Sequence, residues 1–414
     1  MANSAYSLAN SISAVNLMNK NFIFFTRNTL PQPYAHLVQI TNSANAAANL
    51  GYPTVMVYVQ TGFSALNPIK WLAPFQPQKP KQSLINFYNL HSKLKVVTLP
   101  MFWPRDSLRG KLSYSHLVCN YYWPRYILSN AQIVYTRHWN FAKTAIKYGV
   151  PAIYEHHHYE DKQFKAEIVN NPLLLVVVTV ADTVRESLVQ SGMPREKILK
   201  LHSGFNQSFL LRYPEKAQEW REKLLLNERQ SLVVYSGALY RFKGIDLLIE
   251  VARDLPKIQF VFVGGSQSQV QSYQQLAREK GVRNVTFLGY ILHEQLPSLL
   301  QAADVLAHPH CSGEAATFTS PLKFFEYMAS GTPIVATKIP PLIEFKSSGA
   351  IAGWCEPDNP REFAQCLQQV LEKYPRKVEG YTNNFDFVGQ FSWENRITNI
   401  MSRVEKKFHP INLK

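Results

Sequence analysis

The sequence predicts an α/β protein made of two doubly wound parallel sheets, each with its own helices. Short β-branched and aromatic runs alternate with longer amphipathic segments, the pattern of strands joined by helical crossovers. The runs fall into two consecutive series, and 414 residues at roughly 100–200 per domain make about two domains. No short period recurs along the chain, which excludes a solenoid.

In chain order, the first series is FIFF (22–25), TVMVYV (54–59), VVTL (96–99), IVYT (133–136), AIYE (152–155) and LLLVVVTV (173–180). The second is LVVYSG (232–237), IQFVFVGG (258–265), VTFLG (285–289), VLAHP (305–309) and PIVAT (333–337). The seam is expected just after SGFNQSF (203–209), where the charged helix YPEKAQEWREKLLL (213–226) opens the second half. The expected domains are 1–207 and 208–385, with 386–414 containing a terminal helix that returns to pack on the first domain. The Pro-rich stretch FQPQKPK (75–81) reads as a surface loop.

An apolar content of 46% with 13% aromatics fills packed cores and excludes a disordered polyelectrolyte. The charge of +15 is unevenly spread. Residues 1–150 hold 14 lysines and arginines against one acid, Asp106, which leaves +13 there and +2 in the rest. Cys119, Cys311, Cys355 and Cys366 show no CxxC spacing, so neither a disulfide framework nor a zinc site is indicated, and a cytoplasmic setting is expected. The first twenty residues lack the basic start and apolar core of a signal peptide. The longest apolar stretch is far shorter than the ~20 residues a spanning helix needs.

In doubly wound sheets, ligands bind beyond the carboxyl ends of the strands, so the chemistry belongs to the loops there. In TSPLKFFEYMASGTPIVAT (319–337), Ser320 as N-cap and Pro321 in the first turn start a helix that stops at Gly331. Such a start offers free N–H groups and a positive dipole end to an anion. Lys323 adds a full charge, and Glu326, one turn on, suits a vicinal diol. A capped core helix with a surface Lys and Glu is the other reading of the same residues. In YSGALYRFKGIDLLIEVARDLP (235–256), a strand, Gly237 and a loop with Lys243-Gly244 precede an amphipathic helix, which brings a cation to a phosphate. YEHHHYED (154–161) places three histidines at the end of a strand; consecutive extended side chains alternate in direction, so they do not share one metal ion.

Taken together and in order, GALYRFKG, FVGG, VTFLGYILHEQLPSLLQAADVLAHP and SPLKFFEYMASGTPIVAT resemble the donor domain of glycosyltransferase family 4, retaining enzymes of the GT-B fold, in the subgroup with an SPLK-type donor helix. The likeness runs from about Leu232 to Glu344. It implies two Rossmann-like domains facing across a cleft. It also implies that Lys243 contacts the donor diphosphate, that Glu326 contacts the ribose, and that Tyr290 and Ile291 border the nucleobase. The helix start, Thr319, Ser320, Pro321, Leu322 and Lys323, with Gly237 and Arg241, completes the expected donor side. Two departures stand out: Ala238 where many relatives have arginine, for which Arg241 is a substitute three residues on, and Phe318 where many have a first glutamate. Glu314 lies nearby.

In the first half, the resemblance aligns His157 with a histidine near the reacting sugar. It places acceptor contacts at Arg27, Asn28, His36 and Glu155. His157, Lys243 and Lys323 are the expected catalytic residues. The implied reaction moves a sugar from a nucleoside-diphosphate sugar to an acceptor hydroxyl with retention, without metal or other cofactor. A nucleotide-sugar epimerase or hydrolase and a non-catalytic basic binding module are the alternatives. Basic and aromatic residues interleave in 68–81 and 100–126, a composition suited to docking on anionic lipid. The expected acceptor is therefore a membrane glycolipid such as a hexosyl diacylglycerol, met at the cytoplasmic face of a membrane; a soluble or polysaccharide acceptor is the runner-up, and nucleic acid is not expected as a partner. The oligomeric state is not legible.

Overall fold

A computed structural model describes residues 20–62, 71–90, 93–101, 113–226 and 228–410. Two compact units result. One takes in the described residues through Leu201 together with those from Trp393 onward; the other is His202–Ser392.

The first unit holds a seven-stranded sheet, β1 (Asn21–Thr26), β2 (Thr54–Gln60), β3 (Lys95–Pro100), β4 (Ala131–Thr136), β5 (Ala152–Glu155), β6 (Leu174–Thr179) and β7 (Ile198–Lys200), in the order β3-β2-β1-β4-β5-β6-β7. The pairings are parallel, with Phe25 opposite Val57 on one side and Thr136 on the other. Strands covered on both faces read as continuous apolar runs, which explains why Phe22, Ile23, Phe24 and Phe25 are all fully buried. The principal helices are α1 (Ala35–Asn49) and α2 (Trp139–Lys147).

The second unit carries β8 (Ser231–Ser236), β9 (Ile258–Val263), β10 (Val285–Gly289), β11 (Val305–His308), β12 (Ile334–Thr337) and β13 (Gly353–Cys355), ordered β10-β9-β8-β11-β12-β13. Its helices include α3 (Pro214–Leu224), α4 (Ile245–Asp254), α5 (Leu322–Ser330) and α6 (Pro360–Lys373). In α4, Ile245, Leu248, Ile249 and Ala252 form a buried stripe at helical spacing. Both sheets reverse direction of growth beside their first strand, between β1 and β4 and between β8 and β11, and these switch points are where a doubly wound sheet opens a crevice.

α7 (Trp393–Met401) returns to the first unit and packs on α1. Its buried stripe is Trp393, Arg396, Ile397, Ile400 and Met401, the i, i+3, i+4, i+7, i+8 pattern with an arginine inside it.

The structure departs from the sequence expectations in several places. The strands β7 and β13 were not foreseen, because three residues each carry too little periodicity. The seam falls at Leu201/His202 instead of after residue 207, since Ser203 bonds to Ser320 and Phe205 is buried in the second unit's core. The helix at Phe385–Gly389 also stays with that unit, and the return begins at Trp393. Ser320 is not the N-cap: α5 starts at Leu322 with Pro321 before it, and the Ser320 hydroxyl oxygen accepts from Ser203 N–H at 2.9 Å. Gly331 does end α5, in the left-handed conformation. Of the aromatics offered to a membrane, Tyr114, Tyr122 and Trp123 are core residues, Tyr122 donating to Pro100 O at 2.7 Å. The stretches 68–70 and 102–112 of those segments lie outside the described residues. Among the described residues, no helix is long and apolar enough to cross a membrane.

Candidate active site

In the second unit the turns after β8, β9, β10 and β11 converge. Gly237 N–H donates to Val263 O at 2.8 Å, and Gly264 N–H donates to Gly289 O at 2.7 Å. A Cβ on Gly264 would lie 2.2 Å from Gly237 O, and one on Gly244 only 1.9 Å from Pro309 O. Both residues have positive φ, so glycine is needed there for conformation as well as space. These contacts fix the 237–244 loop against the end of β11, at the switch point. Cys311 N–H donates to Phe242 O at 2.9 Å and closes the same junction.

Lys243 sits in this junction, half-buried, its ammonium 5.1 Å from the Phe242 ring centre. Among the described residues it has no ion-pair partner, and burial pushes its pKa down to about 8. His308 and His310 pack beside it, their rings tilted at 52° with centres 4.0 Å apart. Burial first, and Lys243 second, hold His308 neutral, pushed down to about 3. A partly dehydrated cation without a counter-charge is a receptor for an anion.

At the start of α5, the N–H groups of Leu322 and Lys323 have no carbonyl of their own helix to bond. Lys323 Nζ donates to Glu326 Oε2 at 2.7 Å, and His293 Nε2 lies 3.1 Å from Glu326 Oε1. Burial raises the Glu326 pKa, but Lys323 and His293 outweigh it, so the carboxyl is held below its ordinary value and is ionised. Each Glu326 oxygen keeps a second lone pair for a hydroxyl. The Nδ1 of His293 is buried without a partner. Sequence reasoning missed His293, although it stands four residues after Gly289 in the loop already singled out.

Tyr290 is half-exposed after β10, and Ile291 packs against the core. Thr319 and Ser320 are half-buried and Pro321 is buried ahead of α5. Arg241 is not drawn into the junction: its side chain is 93% exposed, with Nε 3.6 Å from Asp246. Glu314 is exposed in a four-residue helical turn, and Phe318 is half-buried.

In the first unit, Glu155 ends β5 fully buried. Its Oε1 accepts from Arg396 Nη2 and from His157 Nε2, both at 2.6 Å, and its Oε2 accepts from Tyr135 and Gln39. This corrects the expectation of acceptor contact for Glu155, which has no exposed surface to offer. With Nε2–H given to the carboxylate, the neutral His157 ring carries its lone pair on Nδ1. Burial, then Arg137, pushes His157 down to about 3 despite Glu155. The three consecutive histidines do face different partners, His156 Nδ1 lying 2.8 Å from Tyr154 OH. Among the described residues no group of three or more His, Cys, Asp or Glu is placed to hold a metal ion. Arg27 is exposed, with Nη1 3.5 Å from Ser115 Oγ; Asn28 Oδ1 accepts from Thr26 at 3.2 Å; His36 lies in the first turn of α1, stacked on Tyr34.

Comparison with known proteins fits this geometry. Residues 216–385 match the family Glycosyl transferases group 1. The matched domain covers nearly all of the second unit and includes Lys243, His293, Lys323 and Glu326. D-inositol 3-phosphate glycosyltransferase of Corynebacterium aurimucosum is 28% identical over 245 residues, 56% of this chain and 57% of that one. The alpha-galactosylglucosyldiacylglycerol synthase of Streptococcus pneumoniae is 30% identical over 138 residues, 32% of this chain and 37% of that one. The chain thus spans little more than half the length of the first curated relatives it matches. Among solved structures, Anabaena HepE in complex with UDP and glucose superposes with a TM-score of 0.65 at 18% identity, covering 92% of this chain and 99% of that one. The likeness establishes the α/β fold of GT-B type, with two Rossmann-like sheets.

One consequence of the buried histidines is measurable. His138, His157 and His308 are all pushed down to about 3, burial being the largest cause in each. Because their folded values lie below the unfolded value of about 6.5, the unfolded chain takes up protons first on acidification. Stability is complete above about pH 6.5 and declines as the pH falls toward the folded values, each group adding a slope of up to ~1.4 kcal/mol per pH unit. Urea denaturation from about pH 7.5 to about 5 should show this decline; a flat profile would contradict the burial of these rings.

Proposed function

We propose that the protein is a retaining glycosyltransferase that moves a sugar from a nucleoside-diphosphate sugar, held by the matched domain, to an acceptor hydroxyl on a membrane glycolipid. The observation that carries the reading is the junction of Lys243, the start of α5, Lys323 and the Glu326–His293 pair at the β8/β11 switch point. The N–H groups and lysines meet the diphosphate, and Glu326 takes the ribose diol. As the glycosidic bond breaks, the departing diphosphate gains charge, and fixed donors stabilise it more in the transition state than in the ground state. The neutral His157 orients a hydroxyl of the acceptor.

Support comes from the family match and from relatives named as a D-inositol 3-phosphate glycosyltransferase and a glycosyl diacylglycerol synthase, while HepE binds UDP and glucose. Same-face attack is favoured over double displacement because Glu155 and Glu326, the buried carboxylates at these loops, are already bonded to cations. The lipid acceptor and a peripheral position on the cytoplasmic face rest on the basic first 150 residues.

The test has two parts. A panel of nucleoside diphosphates and their sugars in a thermal-shift assay should select one donor, with a ligand at 100 times its Kd stabilising by about 2.7 kcal/mol. Incubation with that donor and candidate glycolipids should then yield a product of unchanged anomeric configuration. Fast epimer formation or sugar release without acceptor, or a trapped covalent glycosyl-enzyme, would count against the reading. So would a failure to float with anionic vesicles, for the membrane acceptor alone.

A further inference from the structure

We propose that Cys355 and Cys366 are a peroxide-sensitive thiol pair, which hydrogen peroxide converts into a disulfide that staples α6 to the edge strand of the second sheet. That strand, β13, is three residues long, ends at Cys355 and has β12 as its neighbour. α6 covers it with Phe363, Leu367 and Val370 buried. Cys366 lies on the same side of the helix, three residues after Phe363 and four before Val370.

Gly353 explains how close the two elements come. A Cβ there would lie 2.4 Å from Cys366 Sγ and 2.9 Å from Val370 Cγ2, so the bare glycine lets the helix rest directly on the strand. Alternate residues of a strand project to one face, hence Gly353 and Cys355 both point at α6. Cys355 is fully buried in the core cluster against which Cys366 packs, and the two thiols hydrogen-bond to each other. Facing side chains at one interface are what a disulfide requires. The two sulfurs are unequal. Cys366 is half-buried on the outer helix, and its hydrogen bond with Cys355 holds its thiol below the ordinary value in spite of burial. A more acidic, more accessible thiol beside a buried partner is the arrangement of a peroxide-reactive and a resolving cysteine. Cys119 and Cys311 do not share it: Cys119 lies in the first unit, Cys311 bonds to Asp358, and burial pushes both thiols up, Cys311 to about 11.

The chemistry balances with the peroxide as the oxidant. The Cys366 thiolate attacks one peroxide oxygen, the O–O bond breaks, and hydroxide leaves with a sulfenic acid formed. The Cys355 sulfur then attacks the sulfenic sulfur, and the displaced hydroxyl departs with the Cys355 proton as water. In sum, two thiols are oxidised to one disulfide and one hydrogen peroxide is reduced to two waters.

The experiment treats the reduced full chain with hydrogen peroxide. Its mass should fall by two hydrogen atoms, and non-reducing digestion should yield one linked peptide holding Cys355 and Cys366. Tm should rise by ~4–10 °C and return on adding dithiothreitol. In Cys355→Ala the sulfenic acid should persist and be trapped by dimedone at Cys366. Cys366→Ser, at a half-buried position, should show neither link nor Tm rise, and it keeps the test valid should the Cys355 variant fold poorly. The proposal is overturned if peroxide oxidises the chain without this link, if the link runs through Cys119 or Cys311, or if Tm fails to rise or rises equally in Cys366→Ser. None of these readouts depends on glycosyl transfer.

Discussion

Replacing Lys243 by Gln should lower kcat by ~10²–10³-fold, the loss seen when one fixed donor to a developing oxyanion is removed. The size follows from the environment of the ammonium. It is half-buried, lacks a carboxylate partner among the described residues, and stands beside two imidazoles that burial keeps neutral. Its charge is therefore poorly compensated until the proposed diphosphate arrives, and the benefit is largest when the leaving group carries its full charge. Lys323→Gln should cost turnover as well, but with a second signature, because it also removes a partner of Glu326 and so disturbs the proposed hold on the ribose. Steady-state kinetics should show a fall mainly in kcat for Lys243→Gln and a rise in KM in addition for Lys323→Gln. Unchanged kcat/KM in both proteins would remove the switch-point junction from the mechanism.

Arg396→Met should destabilise the protein by about 3–5 kcal/mol, the range for stripping one partner from a buried ion pair. Arg396 is 3% exposed and Glu155 0%, so the carboxylate left behind has no water to turn to. Arg396 also donates to Tyr135 OH at 3.2 Å, and Tyr135 in turn donates to Glu155. Loss of the guanidinium thus loosens α7 and the seat of His157 together. A double variant, Arg396→Met with Glu155→Gln, should recover part of the loss, because the buried carboxylate charge is then removed together with its guanidinium partner. Urea denaturation of the two single variants and the double one gives the coupling; a single-variant loss under about 1 kcal/mol would mean that the pair is worth no more than a surface one.

The strands were legible because parallel strands covered on both faces are written as apolar runs, and FIFF, TVMVYV and LVVYSG announce themselves. The glycine loop at the β8/β11 switch point was legible because glycines and lysines at a strand's end have a local reason: Gly244 meets Pro309, and Lys243 precedes it in the same turn. The arginine inside the α7 stripe was a readable signal as well, since a charge at a core position requires a partner.

What the sequence by itself determined was the pair of doubly wound sheets, the loops proposed to meet a nucleotide, and the concentration of positive charge in the first 150 residues. Only the tertiary structure decided which charges meet. It paired Glu155 with Arg396 across 241 positions, tied Glu326 to His293 across 33, gave Ser320 to Ser203, and left Arg137 to Gln39. The reason is physical: periodicity records which face of an element is buried, whereas the partner of a buried polar group is set by strand order and by where the chain returns, and neither leaves a local trace.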